Sequence, residues 1–89
     1  MNCTATASAD ISLHLAWFTA YAAAKTAMEQ GDASPMDLKL RHSLEVLENA
    51  RHTVEGEGFA PQTARACLLA ALYHDVGRFE QYLRYHTFR

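Results

Sequence analysis

The chain has no stretch of eighteen uncharged apolar residues, no basic run and no paired cysteines, and each absence removes a class of function. The most apolar segment, Ile11 to Met28, is interrupted by His14, Lys25 and several threonines and tyrosines, and no basic region precedes it. It therefore reads as a helix of a soluble protein rather than a signal sequence or a membrane span. Eight Lys and Arg are set against ten Asp and Glu, giving a net charge of −2. With the two signs mixed along the chain, no stripe can neutralise a row of phosphates, so nucleic acid is not expected as the main partner. The two cysteines stand apart, Cys3 among small residues and Cys67 inside an apolar run. They form neither a CxxC pair nor a disulfide framework, and a reducing cytoplasm is the simplest compartment. Alternating strand patterns, internal repeats and low-complexity linkers are missing too, which leaves an all-α class.

What remains is 89 residues, 49% of them hydrophobic. That is enough for one core, and too apolar for disorder. A domain of this size buries only about 60 to 65% of its unfolded surface, so a homo-oligomer that covers the remaining apolar faces is expected. The first nine residues are small and polar and read as a disordered tail, and residues 10–89 as a single helical domain.

Three long helices follow. Asp10 or Ser8 can cap the first, whose apolar positions Ile11, Leu15, Phe18 and Ala22 recur every three or four residues until Gly31 terminates it, with Glu29 as the last helical residue. Ser34-Pro35-Met36-Asp37 announces the second, with Ser34 as N-cap, Pro35 where no N–H is needed, and Asp37 near the positive end of the dipole. Its stripe is Leu40, Leu44, Leu47, Arg51 and Val54, and its predicted span is Pro35 to Glu55, stopped by Gly56 and Gly58. Pro61 opens the third, with Ala64, Cys67, Leu68, Ala71 and Leu72 on a broad apolar face. Gly77 is expected to close it in the left-handed conformation, and Phe79 to Tyr85 to add a short helix or turn. Trp17, Phe18 and Tyr21 are read as core or interface side chains, His14 and His52 as packing or solvated residues, and Glu48 as a helical partner of His52.

Five histidines are available. His42 and His52 share a helix ten residues apart, about 15 Å along the axis, too far to hold one ion with bonds of about 2.1 Å. His42 instead lies near the start of the second helix and His74 at the end of the third. Antiparallel packing across a short loop brings those ends together. Neighbouring residues on a helix point about 100° apart, so His74 and Asp75 can aim at one ion only where the helix ends. Two imidazoles with a carboxylate suit Mn²⁺, Fe²⁺, Co²⁺, Ni²⁺ or Zn²⁺, and a carboxylate-rich completion would admit Mg²⁺.

The neighbourhood RHSLEV around His42 and the run ALYHDVGRFEQY around His74 and Asp75 resemble the HD-domain superfamily of metal-dependent phosphohydrolases, over roughly Leu38 to the C-terminus. The resemblance implies an all-α helical bundle of three long helices and a short fourth. It also implies a divalent ion held by His42, His74 and Asp75, with Asp75 serving the chemistry as well, the ion activating water and polarising a phosphoryl oxygen. Arg78 would hold phosphate through its planar fork, with Lys39 a weaker candidate for the same duty. The implied substrate is a phosphomonoester or phosphodiester, a nucleotide being the favoured form.

The pattern departs from the family at its end. A further aspartate is expected on a downstream helix, yet after Asp75 the only carboxylate side chain is Glu80. The 89 residues thus look like the N-terminal part of a longer HD domain or a shortened form, in which Glu80, His86 or a neighbouring chain would have to complete the site. The alternative is a non-catalytic helical module that self-associates or binds a partner.

Overall fold

The structure is a computed structural model that describes residues 11–88. The expected disordered tail, Cys3 and the candidate caps Ser8 and Asp10 lie outside the described residues. Four helices follow in order: α1 (Ser12–Met28), α2 (Ser34–Glu57), α3 (Pro61–Tyr73) and α4 (Gly77–Tyr85). No strand occurs among the described residues, and the all-α class expected from the sequence is what the chain forms. None of these helices is long and apolar enough to cross a membrane.

The helix ends differ from the predicted ones for local reasons. α1 ends at Met28 because Glu29 leaves in extended backbone, and the side chain of Glu29 then accepts the Gly31 N–H at 2.9 Å. Gly31 is not left-handed and does not terminate the helix. α2 begins one residue earlier than expected, after Ala33, and the exposed Ser34 N–H is taken by the Asp32 carboxylate at 2.9 Å, an acceptor supplied two residues upstream. The helix runs through Gly56 to Glu57, and Gly58, at φ +64°, makes the left-handed exit. Gly77 is the clearest correction. In the turn His74-Asp75-Val76 the first and last residues stay in the right-handed region, bridged by Val76 N–H to Tyr73 O and Arg78 N–H to Asp75 O, and Gly77 opens α4 instead of closing α3. The left-handed residue there is His86, which ends α4.

α2 and α3 form the most extensive helix pair, an antiparallel hairpin joined by Gly58-Phe59-Ala60. On α2 the core side is Met36, Leu40, Ser43, Leu47, Ala50 and Val54, spaced alternately by four and three residues as in a coiled-coil seam. The predicted stripe had Leu44 and Arg51 in place of Ser43 and Ala50; both are only half-buried. Ala64, Leu68 and Leu72 of α3 oppose this seam at four-residue spacing. α1 lays Phe18 and Ala22 across the hairpin. α4 returns against α1 through Phe79, whose ring meets Phe18 edge-on at 5.9 Å and Tyr21 at 6.4 Å. Two polar ties fasten the same layer: Lys25 to Glu80 at 2.9 Å, and the Tyr82 hydroxyl donating to Asp32 O at 2.9 Å.

Candidate metal centre

The hairpin decides where the centre forms. With α2 running one way and α3 the other, the third turn of α2 and the end of α3 lie side by side, so His42 and His74 face each other with ring centroids 6.1 Å apart. The helical hydrogen bonding breaks at His74, and the three-residue turn swings Asp75 toward the same point. One ligand atom from each of His42, His74 and Asp75 lies within 4.8 Å of the others. Neighbouring ligand atoms on an ion with bonds of about 2.1 Å are about 3 to 3.4 Å apart, so side-chain shifts of about 1 Å each close the trio on a cation. Two imidazoles and a carboxylate are a donor set suited to a divalent transition ion.

The tautomer of His74 is dictated by its surroundings. Its Nδ1 lies 2.7 Å from the Ala71 carbonyl, which can only accept, so Nδ1 carries a proton. Nε2 is thereby turned toward Asp75 Oδ2, 3.1 Å away. A backbone carbonyl that orients the far side of a ligating imidazole is the usual outer support of a metal-bound histidine.

Asp75 collects charge from three sides. Lys39 Nζ is 3.4 Å from Oδ2, the oxygen that also faces His74, and Arg78 Nε is 3.5 Å from Oδ1. Burial of the carboxyl acts to raise its pKa, but His74, Lys39 and Arg78 together outweigh that, and it stays below the ordinary aspartate value. Arg78 is not a free fork: it also donates to the Gln81 side chain at 3.0 Å and to the Phe88 carbonyl, and so holds Phe88 beside the centre.

A groove of about 310 Å³ opens next to the trio, lined by Pro35, Leu38, Lys39, His42 and Phe88, with the Lys39 ammonium 5.1 Å from the centre of the Phe88 ring. A larger depression of about 450 Å³ lies between α1 and the end of α3, where Leu13, Trp17 and Tyr73 surround His14, but His14 is engaged by the Tyr73 hydroxyl at 2.9 Å and none of these lining residues is a carboxylate. The groove beside His42 adjoins the His42–His74–Asp75 trio.

The two residues that sequence reasoning held in reserve go elsewhere. Glu80 is bound by Lys25 and by Arg84 at 3.1 Å, and His86 by Glu29 at 3.2 Å, all on the α1 side of α4. Among the described residues the cluster therefore stops at three. His52 pairs with Glu48 at 3.4 Å on an exposed face, as its spacing implied. Phe18 is core, and Trp17 is stacked on Tyr21 at 5.0 Å while remaining largely exposed. The Lys39–Asp75 pair and the Phe88 wall of the groove were not read from the sequence. The first was foreshadowed only by a lysine one turn before His42, and the second by nothing.

Residues 40–88, more than half of the chain, match the family model described as HD domain. No curated protein and no solved structure matches.

Proposed function

Because the chain belongs to the HD domain family, we propose that it acts as a metal-dependent phosphohydrolase on a phosphomonoester or phosphodiester, with a nucleotide as the favoured substrate. The observation that carries the proposal is the convergence of His42, His74 and Asp75 from two helices and a turn onto one point. In this reading those three residues hold a divalent ion, with Mn²⁺, Fe²⁺, Co²⁺, Ni²⁺, Zn²⁺ and Mg²⁺ all as candidates. Bound there, the ion would polarise a phosphoryl oxygen and activate water.

The remaining work belongs to the chain itself. Ala71 fixes which nitrogen of His74 is offered, and Asp75, kept ionised by its neighbours, supplies the anionic ligand. Arg78 braces the second oxygen of Asp75 and adds positive charge beside the place where a phosphate would lie. The apolar side of the groove, Pro35, Leu38 and Phe88, offers an aromatic face and two aliphatic ones to whatever the phosphate is attached to, which suits the ring of a nucleoside.

Release of phosphate from a panel of phosphomonoesters and phosphodiesters, with Mn²⁺, Co²⁺, Zn²⁺ or Mg²⁺ added singly, tests this. Turnover that depends on the ion and disappears in the His74→Ala, Asp75→Ala double variant is expected; turnover unchanged in that variant would remove the assignment.

One observation favours a second reading, a non-catalytic module. Asp75 already has two internal cations, and a trio is a sparse ligand set. The exposed Leu13 and Trp17, on a stretch of α1 without a charged residue before Lys25, would then serve self-association or a partner. That reading expects no metal by elemental analysis and a concentration-dependent dimer in sedimentation.

A further inference from the structure

Lys39 occupies an unusual position for a surface lysine. It lies three residues before His42 on α2, so both side chains leave the same face of the helix, yet its ammonium is drawn down to Asp75 Oδ2 and its side chain is only 20% exposed. The oxygen it contacts is the one that faces His74 Nε2 at 3.1 Å. An ion bridging His74 and Asp75 would bind that same oxygen, so Lys39 and the ion compete for one lone-pair region. From the same position the ammonium also borders a second partner. Its nitrogen is 5.1 Å from the centre of the Phe88 ring, and it lines the groove that runs outward from His42. An ammonium over an aromatic face keeps a favourable contact, and the flexible four-carbon stem permits the move.

We propose that Lys39 is a resident counter-ion which a divalent ion displaces from Asp75, and that the displaced ammonium, lodged in the groove against Phe88, becomes the docking point for the substrate's phosphate. The proposal rests on the metal-dependent reading above and adds the order of events: the ion arrives first, and phosphate binds to a groove the ion has charged. The magnitude follows from geometry. An ion about 2.1 Å from Oδ2 lies at most roughly 5.5 Å from an ammonium 3.4 Å beyond that oxygen. The repulsion between a double and a single positive charge at that distance, even in a water-like dielectric, is worth about tenfold in dissociation constant. A lysine that merely orients Asp75 predicts the opposite sign, because its removal would loosen a ligand and weaken the ion.

Calorimetric titration of Mn²⁺ into the wild-type protein and into Lys39→Met and Lys39→Arg, at one ionic strength, decides between the two. The methionine keeps the apolar stem without the charge. Lys39→Met is expected to bind Mn²⁺ about threefold to tenfold more tightly, Lys39→Arg to resemble wild type, and inorganic phosphate to bind the Mn²⁺-saturated Lys39→Met protein at least threefold more weakly than the saturated wild type. Should Lys39→Met misfold by circular dichroism, Lys39→Gln replaces it. Equal or weaker Mn²⁺ binding in the neutral variant overturns the proposal and leaves the metal centre standing. Tighter Mn²⁺ binding with unchanged phosphate affinity overturns the docking role. Failure of the wild type and the variant alike to bind Mn²⁺, Co²⁺ or Zn²⁺ removes the metal-dependent reading and this proposal with it.

Discussion

Phe79→Ala tests whether the centre depends on the layer beneath it. Phe79 has no exposed surface, meets Phe18 at 5.9 Å and 76° and Tyr21 at 6.4 Å and 89°, and is the main apolar anchor of a nine-residue helix whose other buried residue is Tyr82. Truncating a fully buried phenylalanine costs about 3 to 5 kcal/mol. A chain of this length has about 4 to 13 kcal/mol in all. With a urea m-value near 1 kcal/mol/M for so small a domain, the midpoint should fall by at least about 3 M, or the transition should vanish into the native baseline. Because Asp75 and Arg78 flank the start of α4, the loss should also reach the centre, and Phe79→Ala should bind Mn²⁺ more weakly although no ligand has changed. A Phe18→Ala, Phe79→Ala cycle isolates the edge-to-face contact, expected to couple by about 0.5 to 1.5 kcal/mol. A Phe79→Ala protein that loses less than about 1 kcal/mol in urea unfolding would refute the packing argument, since such a residue cannot be the one that seats α4.

Gly58→Ala should destabilise by about 1 to 2 kcal/mol because the position is left-handed at φ +64°. Gly77→Ala, where φ is not positive and an added Cβ meets nothing within 4 Å, should stabilise by about 0.4 to 1 kcal/mol; thermal melts of both compare them directly. Ser43→Ala removes a buried hydroxyl that has no hydrogen-bond partner and should leave the melting temperature unchanged or raise it, by the equivalent of up to about 1 kcal/mol. Glu80 is held below its ordinary pKa by the hydrogen bond from Lys25 and then by Arg84, and Glu29 by the Gly31 N–H against the opposing effect of burial. A depressed folded-state pKa gives stability that is present above the unfolded value and lost as pH falls through the folded one. Urea midpoints should therefore drop below about pH 4, and Glu80→Gln should flatten that decline. If a divalent ion binds the native state alone, an excess of about 100 times the dissociation constant adds about 2.7 kcal/mol, which a thermal scan should show as a shift of at least about 10 °C that His74→Ala abolishes.

The parts of this chain that sequence reasoning recovered are those that a period or an adjacency determines. The helices follow from apolar spacing, and the meeting of His42 with His74 follows from a hairpin whose loop is three residues long. Where the reading slipped, one residue could serve two physical roles. Gly77 after the His-Asp pair suits a left-handed exit as well as the first turn of a new helix. Only the buried Phe79 and Tyr82, three residues apart, reveal that helical periodicity resumes there. On α2 the apolar Leu44 looked a better core residue than Ser43, yet the small serine is the one the facing helix admits, since a seam alternating four and three residues passes through 43 and not 44. The pairing of Lys39 with Asp75 was hidden for a different reason. A long side chain reaches any of several acceptors, and no spacing rule chooses among them.

The geometry around Asp75 Oδ2 ties these strands together. His74 donates its Nδ1 proton to Ala71, so the nitrogen that faces Oδ2 at 3.1 Å is either a lone pair or a second N–H. A bare lone pair facing a carboxylate oxygen at that distance is repulsive, so the space between them calls for positive charge, and three carriers can supply it: a proton on Nε2, the Lys39 ammonium 3.4 Å from the same oxygen, or a divalent ion that also recruits His42. Only the third uses all three side chains, and the first two are the states it must displace. Binding of an ion here is therefore an exchange of cations rather than the filling of an indifferent pocket. The centre is thus pre-formed in its backbone and contested in its charge, and the Lys39 variants separate those two properties.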